Sequence, residues 1–339
     1  MKEMRFAIFG TGFWSRFQLA AWNELAGVRC VSLYNRTRSK AEALAQGFGV
    51  STVYDDAAEL LKREKVDFVD IITDVDTHVP LVLLAAKHGL PVICQKPLAP
   101  TLESARALVQ TCSQAGVPLL VHENWRWQTP MRALKEVLDS GAIGRVFRAR
   151  MQYANSFPVF DNQPFLKELS RFILTDIGTH VLDAARFLFS EARSLYCRTT
   201  RVRTDIKGED VATVMMDMNG AAVVCALSYA SRVEHDRFPE TFVFVEGERG
   251  CVELAPDYWL RTTTPDGTVA RRVPPPHYSW ADPMYDLVHS SIVPCHANLL
   301  NALRGEGPAE TTAEDNVKTL ELVFGAYESA RTGQVVDIA

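Results

Sequence analysis

Over the first 121 residues, apolar runs of strand length alternate with amphipathic stretches of helix length. The apolar runs cover residues 5–9, 28–34, 67–72, 91–94 and 118–121, and helix-like spacing covers 17–25, 39–48, 79–88 and 101–115. A chain that alternates in this way covers both faces of a sheet by winding it parallel, with right-handed crossovers. Ligands of such sheets bind beyond the carboxyl ends of the strands. The first strand runs into Gly10-Thr11-Gly12-Phe13-Trp14-Ser15 before the first helix. Gly10 permits the tight turn, and Gly12 lets the backbone approach a pyrophosphate seated at the helix N-terminus. Ser15 stands where the dinucleotide fingerprint carries a third small residue. Thr11, Phe13 and Trp14 share this turn and join the candidate cofactor set.

The second strand ends about 20 residues beyond the glycines, where an adenosine ribose is read. An NAD site usually carries Asp or Glu there, but this chain has Asn35-Arg36-Thr37-Arg38. Two guanidinium groups suit a 2′-phosphate through paired charge-assisted hydrogen bonds, so the loop leans to NADP. Asn35 can still bond a 2′-hydroxyl, which keeps NAD open. Thr73 and His78, after the next long strand, lie at the same end of the sheet as Gln95 and Lys96, and all four are read as cofactor-side residues. Pro97 follows Lys96 directly, so the ammonium is aimed for chemistry at a carbon–oxygen bond; a cis Lys96–Pro97 bond is expected.

A length of 339 residues suggests two domains, 1–123 and 124–339, with a cleft between them. The balance of 36 basic against 41 acidic residues, a net charge of −5, disfavours nucleic acid as a partner. Seven scattered cysteines without a Cys-x-x-Cys pair argue against a zinc site or a disulfide framework. With no apolar run near the ~18 residues that span a bilayer, the expectation is a cytoplasmic protein without a membrane partner or a metal.

Beyond residue 121 the pattern changes. Asn124-Trp125-Arg126-Trp127 offers two indoles that can stack on a sugar ring while polar neighbours reach hydroxyls, although for either indole taken alone interdomain packing is the favoured reading. Residues 155–166 have no steady period and read as a loop or lid; Asn155 and Arg171 complete the candidate substrate set. Asp176, His180 and Asp183 fall on one face if the stretch is helical, bracketing an imidazole with carboxylates as a general base requires. A helix cap with a buried histidine remains the alternative. Residues 211–218, 221–230, 241–246 and 251–254 alternate as strands separated by turns, implying an open antiparallel sheet.

In their order these landmarks resemble the Gfo/Idh/MocA oxidoreductase family (glucose–fructose oxidoreductase, inositol dehydrogenase and relatives). They are the glycine turn near residue 10, Lys96-Pro97 just past the strand over 91–94, and the Asp176-x-Gly178-x-His180-x-x-Asp183 cluster 80 residues later. The resemblance covers essentially the whole chain. It implies an α/β protein with an N-terminal Rossmann dinucleotide-binding domain and a C-terminal α+β domain built on an open, mainly antiparallel sheet. It also implies an NAD(P)-dependent dehydrogenase acting on a sugar or cyclic polyol hydroxyl, or on the matching ketone. By match, Lys96 orients the substrate and stabilises developing charge, His180 takes the proton, and Asp176 binds substrate or supports His180. A homo-oligomer, dimer or tetramer, through the C-terminal sheet is implied as well. The family usually has Glu-Lys-Pro where this chain has Gln95-Lys96-Pro97, and that departure is the best support for the alternative, a dinucleotide-sensing regulator with little turnover.

Overall fold

The computed structural model describes residues 3–234 and 238–338, which gather into two compact units. The first comprises Met1–Glu123, Ser279–Ala281 and Ile292–Lys318; the second comprises Asn124–Tyr278, Asp282–Ser291 and Thr319–Ala339. Sequence order alone puts Ser279–Ala281 and Ile292–Lys318 with residues 124–339. They pack with the first unit because their apolar side chains, Ile292 and Trp280 among them, fill in beside Phe17 and Ala21.

The first unit runs β1 (Met4–Phe9), α1 (Ser15–Asn23), β2 (Val28–Tyr34), α2 (Arg38–Phe48), β3 (Thr52–Tyr54), α3 (Ala57–Arg63), β4 (Phe68–Ile71), α4 (His78–Lys87), β5 (Val92–Gln95), α5 (Leu102–Gln114) and β6 (Leu119–His122). Its six strands are all parallel, in the order β3-β2-β1-β4-β5-β6. Strand order reverses between β1 and β4, so the chain leaves them in opposite directions and opens a crevice at their carboxyl ends. Phe6 stacks on Phe68 at 4.9 Å and Trp22 of α1 packs on Phe6 at 5.0 Å, all three buried. Each such side chain contributes about 1.5–3 kcal/mol, which seats α1 on the sheet. The short β3 and α3 have no counterpart in the periodicity; α3 starts at a capping Asp56 that accepts the Ala58 and Glu59 amides.

The second unit runs α6 (Thr129–Asp139), β7 (Val146–Ala154), α7 (Val159–Asn162), α8 (Thr179–Phe189), β8 (Ala192–Thr200), β9 (Val211–Met218), β10 (Ala221–Ser228), β11 (Phe242–Gly247), β12 (Gly250–Ala255), β13 (Trp259–Thr264) and β14 (Gly267–Arg272). Of the remaining elements, α9 (Asp286–Leu303) and α10 (Ala313–Thr332) each contribute residues to both units, and β15 (Val336–Asp337) belongs to the second. The nine strands order as β14-β13-β12-β11-β7-β10-β9-β8-β15. Every pairing is antiparallel except β7 with β10, so the sheet is mainly antiparallel, as expected, and mixed through that one pair. Burial alternates along β9, β10 and β11, with one face turned to the core beneath α6 and α8. Residues 155–166, read as a loop, contain α7 and a 3₁₀ turn over Pro164–Glu168, where Phe160 and Leu166 find burial that an irregular lid would deny them.

Candidate active site

β1 delivers the chain into Gly10 at a φ of +100°, and a Cβ there would lie 2.2 Å from the Ile72 carbonyl oxygen, so glycine alone fits. At Gly12 a Cβ would meet nothing within 4 Å, which leaves open the backbone approach that a pyrophosphate uses at a helix N-terminus. Ser15 is fully buried and its hydroxyl donates to the Gly10 carbonyl at 2.9 Å, closing the turn from inside. The strained first glycine and the uncovered second one fit a dinucleotide. Thr11 and Asn35 are brought together, Asn35 Nδ2 donating to Thr11 Oγ1 at 2.8 Å while Oδ1 accepts the Thr37 amide at 2.8 Å. Arg36 is exposed, whereas Arg38 donates to Glu42 one turn along α2 at 2.9 Å. Phe13 and Trp14 pack edge-on around Phe17, at 5.2 Å from each other and 5.4 Å from Phe13 to Phe17, so their rings anchor the start of α1.

Lys96 leaves β5 half-buried, and its bond to Pro97 is cis. The ring of buried His78 lies 3.0 Å from both the Pro97 and Thr73 carbonyls, tying the turn after β5 to the loop after β4. Burial pushes its pKa down against the pull of those carbonyls, and a neutral ring donates to one of them at a time. His78 therefore holds the loops that carry Thr73 and Lys96. Gln95 spans two partners, its Oε1 accepting the Lys96 amide at 3.0 Å and its Nε2 lying 3.1 Å from His122 Nδ1.

In the second unit, Leu174–Gly178 forms a π-helical turn that leads into α8. Asp176 sits in that wider turn and His180 in the first turn of α8, so they do not keep a regular α-helical spacing. Glu209 accepts the amides of Phe172 and Leu174 and the Tyr327 hydroxyl, at 3.2, 3.3 and 2.7 Å, which fixes where this turn begins. His180 is 7 % exposed, and its imidazole lies flat on the Trp125 indole, 4.6 Å between centroids and 1° between planes. Trp125 is itself 1 % exposed, so its ring is spent on orienting His180 rather than open to a sugar. Asp183 is turned away from the role of a second bracketing carboxylate, because Arg126 grips it with two hydrogen bonds at 2.8 and 2.6 Å.

The other expected substrate residues divide in the same way. Asn124 donates to the Val288 carbonyl and to Ser291, in the interior of the unit. Trp127 lies beneath the Arg132 guanidinium at 3.6 Å. Arg171 is exposed, with its guanidinium 5.0 Å over Tyr327. Asn155 is 1 % exposed; its Oδ1 accepts the Phe157 amide, and its Nδ2 has no hydrogen-bond partner among the described residues. Two residues that no motif marked join the site. The hydroxyl of Tyr229 donates to the Asp176 carboxylate at 3.3 Å, and Tyr153 packs on Tyr229 while its hydroxyl reaches Asn155 at 3.4 Å. Burial, then the neighbouring Tyr153 and Asp176, pushes the Tyr229 pKa well above its ordinary value, so it remains a donor. The only advance sign of either tyrosine was an inward position near the end of a strand.

Comparison with known proteins places the chain. Residues 4–123 match the oxidoreductase family with an NAD-binding Rossmann fold, and residues 131–253 match the GFO/IDH/MocA C-terminal domain. The D-apiose dehydrogenase of Rhizobium rhizogenes is 41 % identical over 339 residues, covering 100 % of this chain and 98 % of that protein. This chain belongs to the GFO/IDH/MocA oxidoreductase family. The D-apiose dehydrogenase of Paraburkholderia graminis is 42 % identical, covering 100 % of this chain and 90 % of its own. A crystal structure of an oxidoreductase from Agrobacterium radiobacter in complex with NAD+, L-tartaric acid and magnesium superposes with a TM-score of 0.98, at 41 % identity and 99 % coverage of both chains. The protein is therefore an oxidoreductase acting on CH–OH groups, with an NAD-binding Rossmann domain and a mixed-sheet C-terminal domain. No described helix is long and apolar enough to cross a membrane.

Proposed function

We propose that this chain is a sugar dehydrogenase that oxidises a hydroxyl of D-apiose or a closely similar small sugar. The observation that carries the proposal is the full-length identity of 41 % and 42 % to two D-apiose dehydrogenases. A bound nicotinamide supplies the hydride acceptor. The ammonium of Lys96 orients the reacting hydroxyl and favours the negative charge that develops on its oxygen. His180, held in one plane by Trp125, takes the hydroxyl proton at a ring nitrogen. Asp176, which accepts from Tyr229, binds the substrate or supports His180, while Asn155 Nδ2 donates to a sugar hydroxyl.

For the cofactor, the sequence leans to NADP, and exposed Arg36 remains the residue through which a 2′-phosphate would be taken. The pairing of Arg38 with Glu42 and the NAD+ complex of the 41 % identical structure favour NAD, and NAD is the cofactor proposed. Self-association through the second unit's sheet is also proposed. On its outer face Tyr196, Met215, Val224, Arg150 and Phe244 form one cross-strand row over five strands, with Met215 50 % exposed.

The test is a panel of sugars and polyols that includes D-apiose, offered with NAD and with NADP and followed at the reduced-nicotinamide absorbance. The proposal expects D-apiose with NAD to give the highest kcat/KM. Reduction only by cyclic polyols, or by no member of the panel, would sink it.

A further inference from the structure

We infer that Gln95 and His122 are positioning residues for Lys96, forming a hydrogen-bonded relay that exists only while His122 is neutral with its proton on Nε2. The inference rests on the role proposed above for Lys96. Its starting point is a donor that cannot change sides. The Lys96 backbone N–H can only donate, so the Gln95 atom 3.0 Å from it is the carbonyl oxygen, and the amide's orientation is thereby assigned. Gln95 Nε2 then carries two hydrogens and cannot accept. It lies 3.1 Å from Nδ1 of His122, so Nδ1 must be the bare, accepting nitrogen. A proton on Nδ1 would set N–H against NH₂. Flipping the amide would relieve that clash but would set the NH₂ group against the Lys96 N–H. One hydrogen bond or the other is lost.

The backbone leaves this relay little slack. Gln95 and His122 are the last residues of β5 and β6, directly opposite one another in a parallel pair, and Lys96 is the next residue along. His122 is 2 % exposed. Gln95 faces it from β5, and His296 of α9 faces it edge-on at 4.8 Å. Burial, the larger cause, holds the His296 pKa well below the ordinary value, so that ring is neutral beside His122. His296 in turn stacks on Trp22, whose indole N–H donates to Asp70 of β4. The adjoining carboxylate is buried Glu123, whose backbone carbonyl lies 3.7 Å from Cys295 Sγ. A glutamate at position 95 would behave differently, since its carboxylate accepts from the Lys96 amide and from an Nδ1–H together. Glutamine selects the Nε2–H form of His122, and through it one placement of the Lys96 backbone.

The experiment is ¹⁵N NMR of the histidine rings, with amide hydrogen exchange at Lys96, on wild type, Gln95→Glu and Gln95→Ala; the His122 signal is identified by its loss in His122→Asn. Wild type should show neutral His122 with the proton on Nε2. Gln95→Glu should move the proton to Nδ1 or make His122 titrate at higher pH. Gln95→Ala should speed Lys96 amide exchange and lower kcat by about five- to tenfold each, the worth of one hydrogen bond, with the NAD dissociation constant unchanged. A proton on Nδ1 in wild type, an unchanged ring in Gln95→Glu, or unchanged Lys96 exchange in Gln95→Ala overturns the relay. Expected spectra with an unaltered kcat overturn the positioning role. Expected spectra in an enzyme that turns over no sugar uphold the relay and remove the function proposed for Lys96.

Discussion

Arg126 reads in the sequence as a substrate residue, and its geometry makes it a structural one. Nε and one terminal nitrogen of its guanidinium bond both oxygens of Asp183, with the two side chains 7 % and 0 % exposed. Removing one member of a buried pair costs about 3–5 kcal/mol because a charge is left without compensation. In Arg126→Met the Asp183 carboxylate keeps Thr319 at 3.2 Å and Arg186 at 3.9 Å, so the lower end, ~3 kcal/mol, is expected. In a domain of ~150–250 residues each kcal/mol shifts Tm by ~2–4 °C, so Tm should fall by about 6–12 °C. Adding Asp183→Leu should restore much of the loss, because the stranded charge is removed with its partner. The assay is thermal unfolding followed by near-UV circular dichroism, with the sugar KM measured well below the transition. A Tm within about 2 °C of wild type together with a tenfold higher KM would refute the reasoning and return Arg126 to the substrate.

Lys96→Ala should lower kcat by about 10²–10³ while leaving the NAD dissociation constant within about threefold, as fluorescence titration of the cofactor would show; equal losses in both would contradict its role. Burial raises the pKa of Asp70 from 3.8 to about 7 against the pull of the Trp22 indole N–H. The folded state thus holds a proton that the unfolded state has released between about pH 4 and 7, so the stability this carboxyl contributes is full below pH 4 and falls as pH rises to about 7. Asp70→Asn should flatten that part of the Tm-against-pH curve and raise Tm above wild type at pH 8; a wild-type slope preserved in the variant would show that Asp70 does not titrate there. Arg36→Ala should raise the KM for NADP at least tenfold and leave that for NAD nearly unchanged, and steady-state rates with both cofactors check it. Met215→Lys should weaken self-association in sedimentation velocity if the outer sheet face is the interface.

What could be read from the sequence was what a short stretch of chain dictates by itself. Gly10 is legible because no other residue accepts its φ beside the Ile72 carbonyl, and the βαβ alternation is legible because each strand and helix carries its own period. Asp176 and His180 stood out as a chemical pair, but the π turn between them did not, since it is fixed by Glu209, 33 residues beyond Asp176. Two hydrogen-bond partners of Asp183, Arg126 and Thr319, lie 57 and 136 residues away, so neither could be inferred from spacing. The β13–β14 hairpin was missed for a different reason. Every residue of β14 is exposed, so no apolar alternation marks it. Trp125 was noticed as a sugar platform and serves instead as the surface against which His180 is oriented. An aromatic residue beside a catalytic candidate has the same composition in either role.

The most direct measurement of the central claim is the pH dependence of kcat/KM for D-apiose oxidation with NAD, in wild type and in His180→Asn. Wild type should reduce NAD with an acidic limb that reports deprotonation of the base. His180→Asn should lose that limb and about 10²–10⁴ of the rate while binding NAD as tightly as before. A wild type that reduces NAD with no sugar at any pH, or a His180→Asn variant that keeps both the limb and most of the rate, would contradict the account.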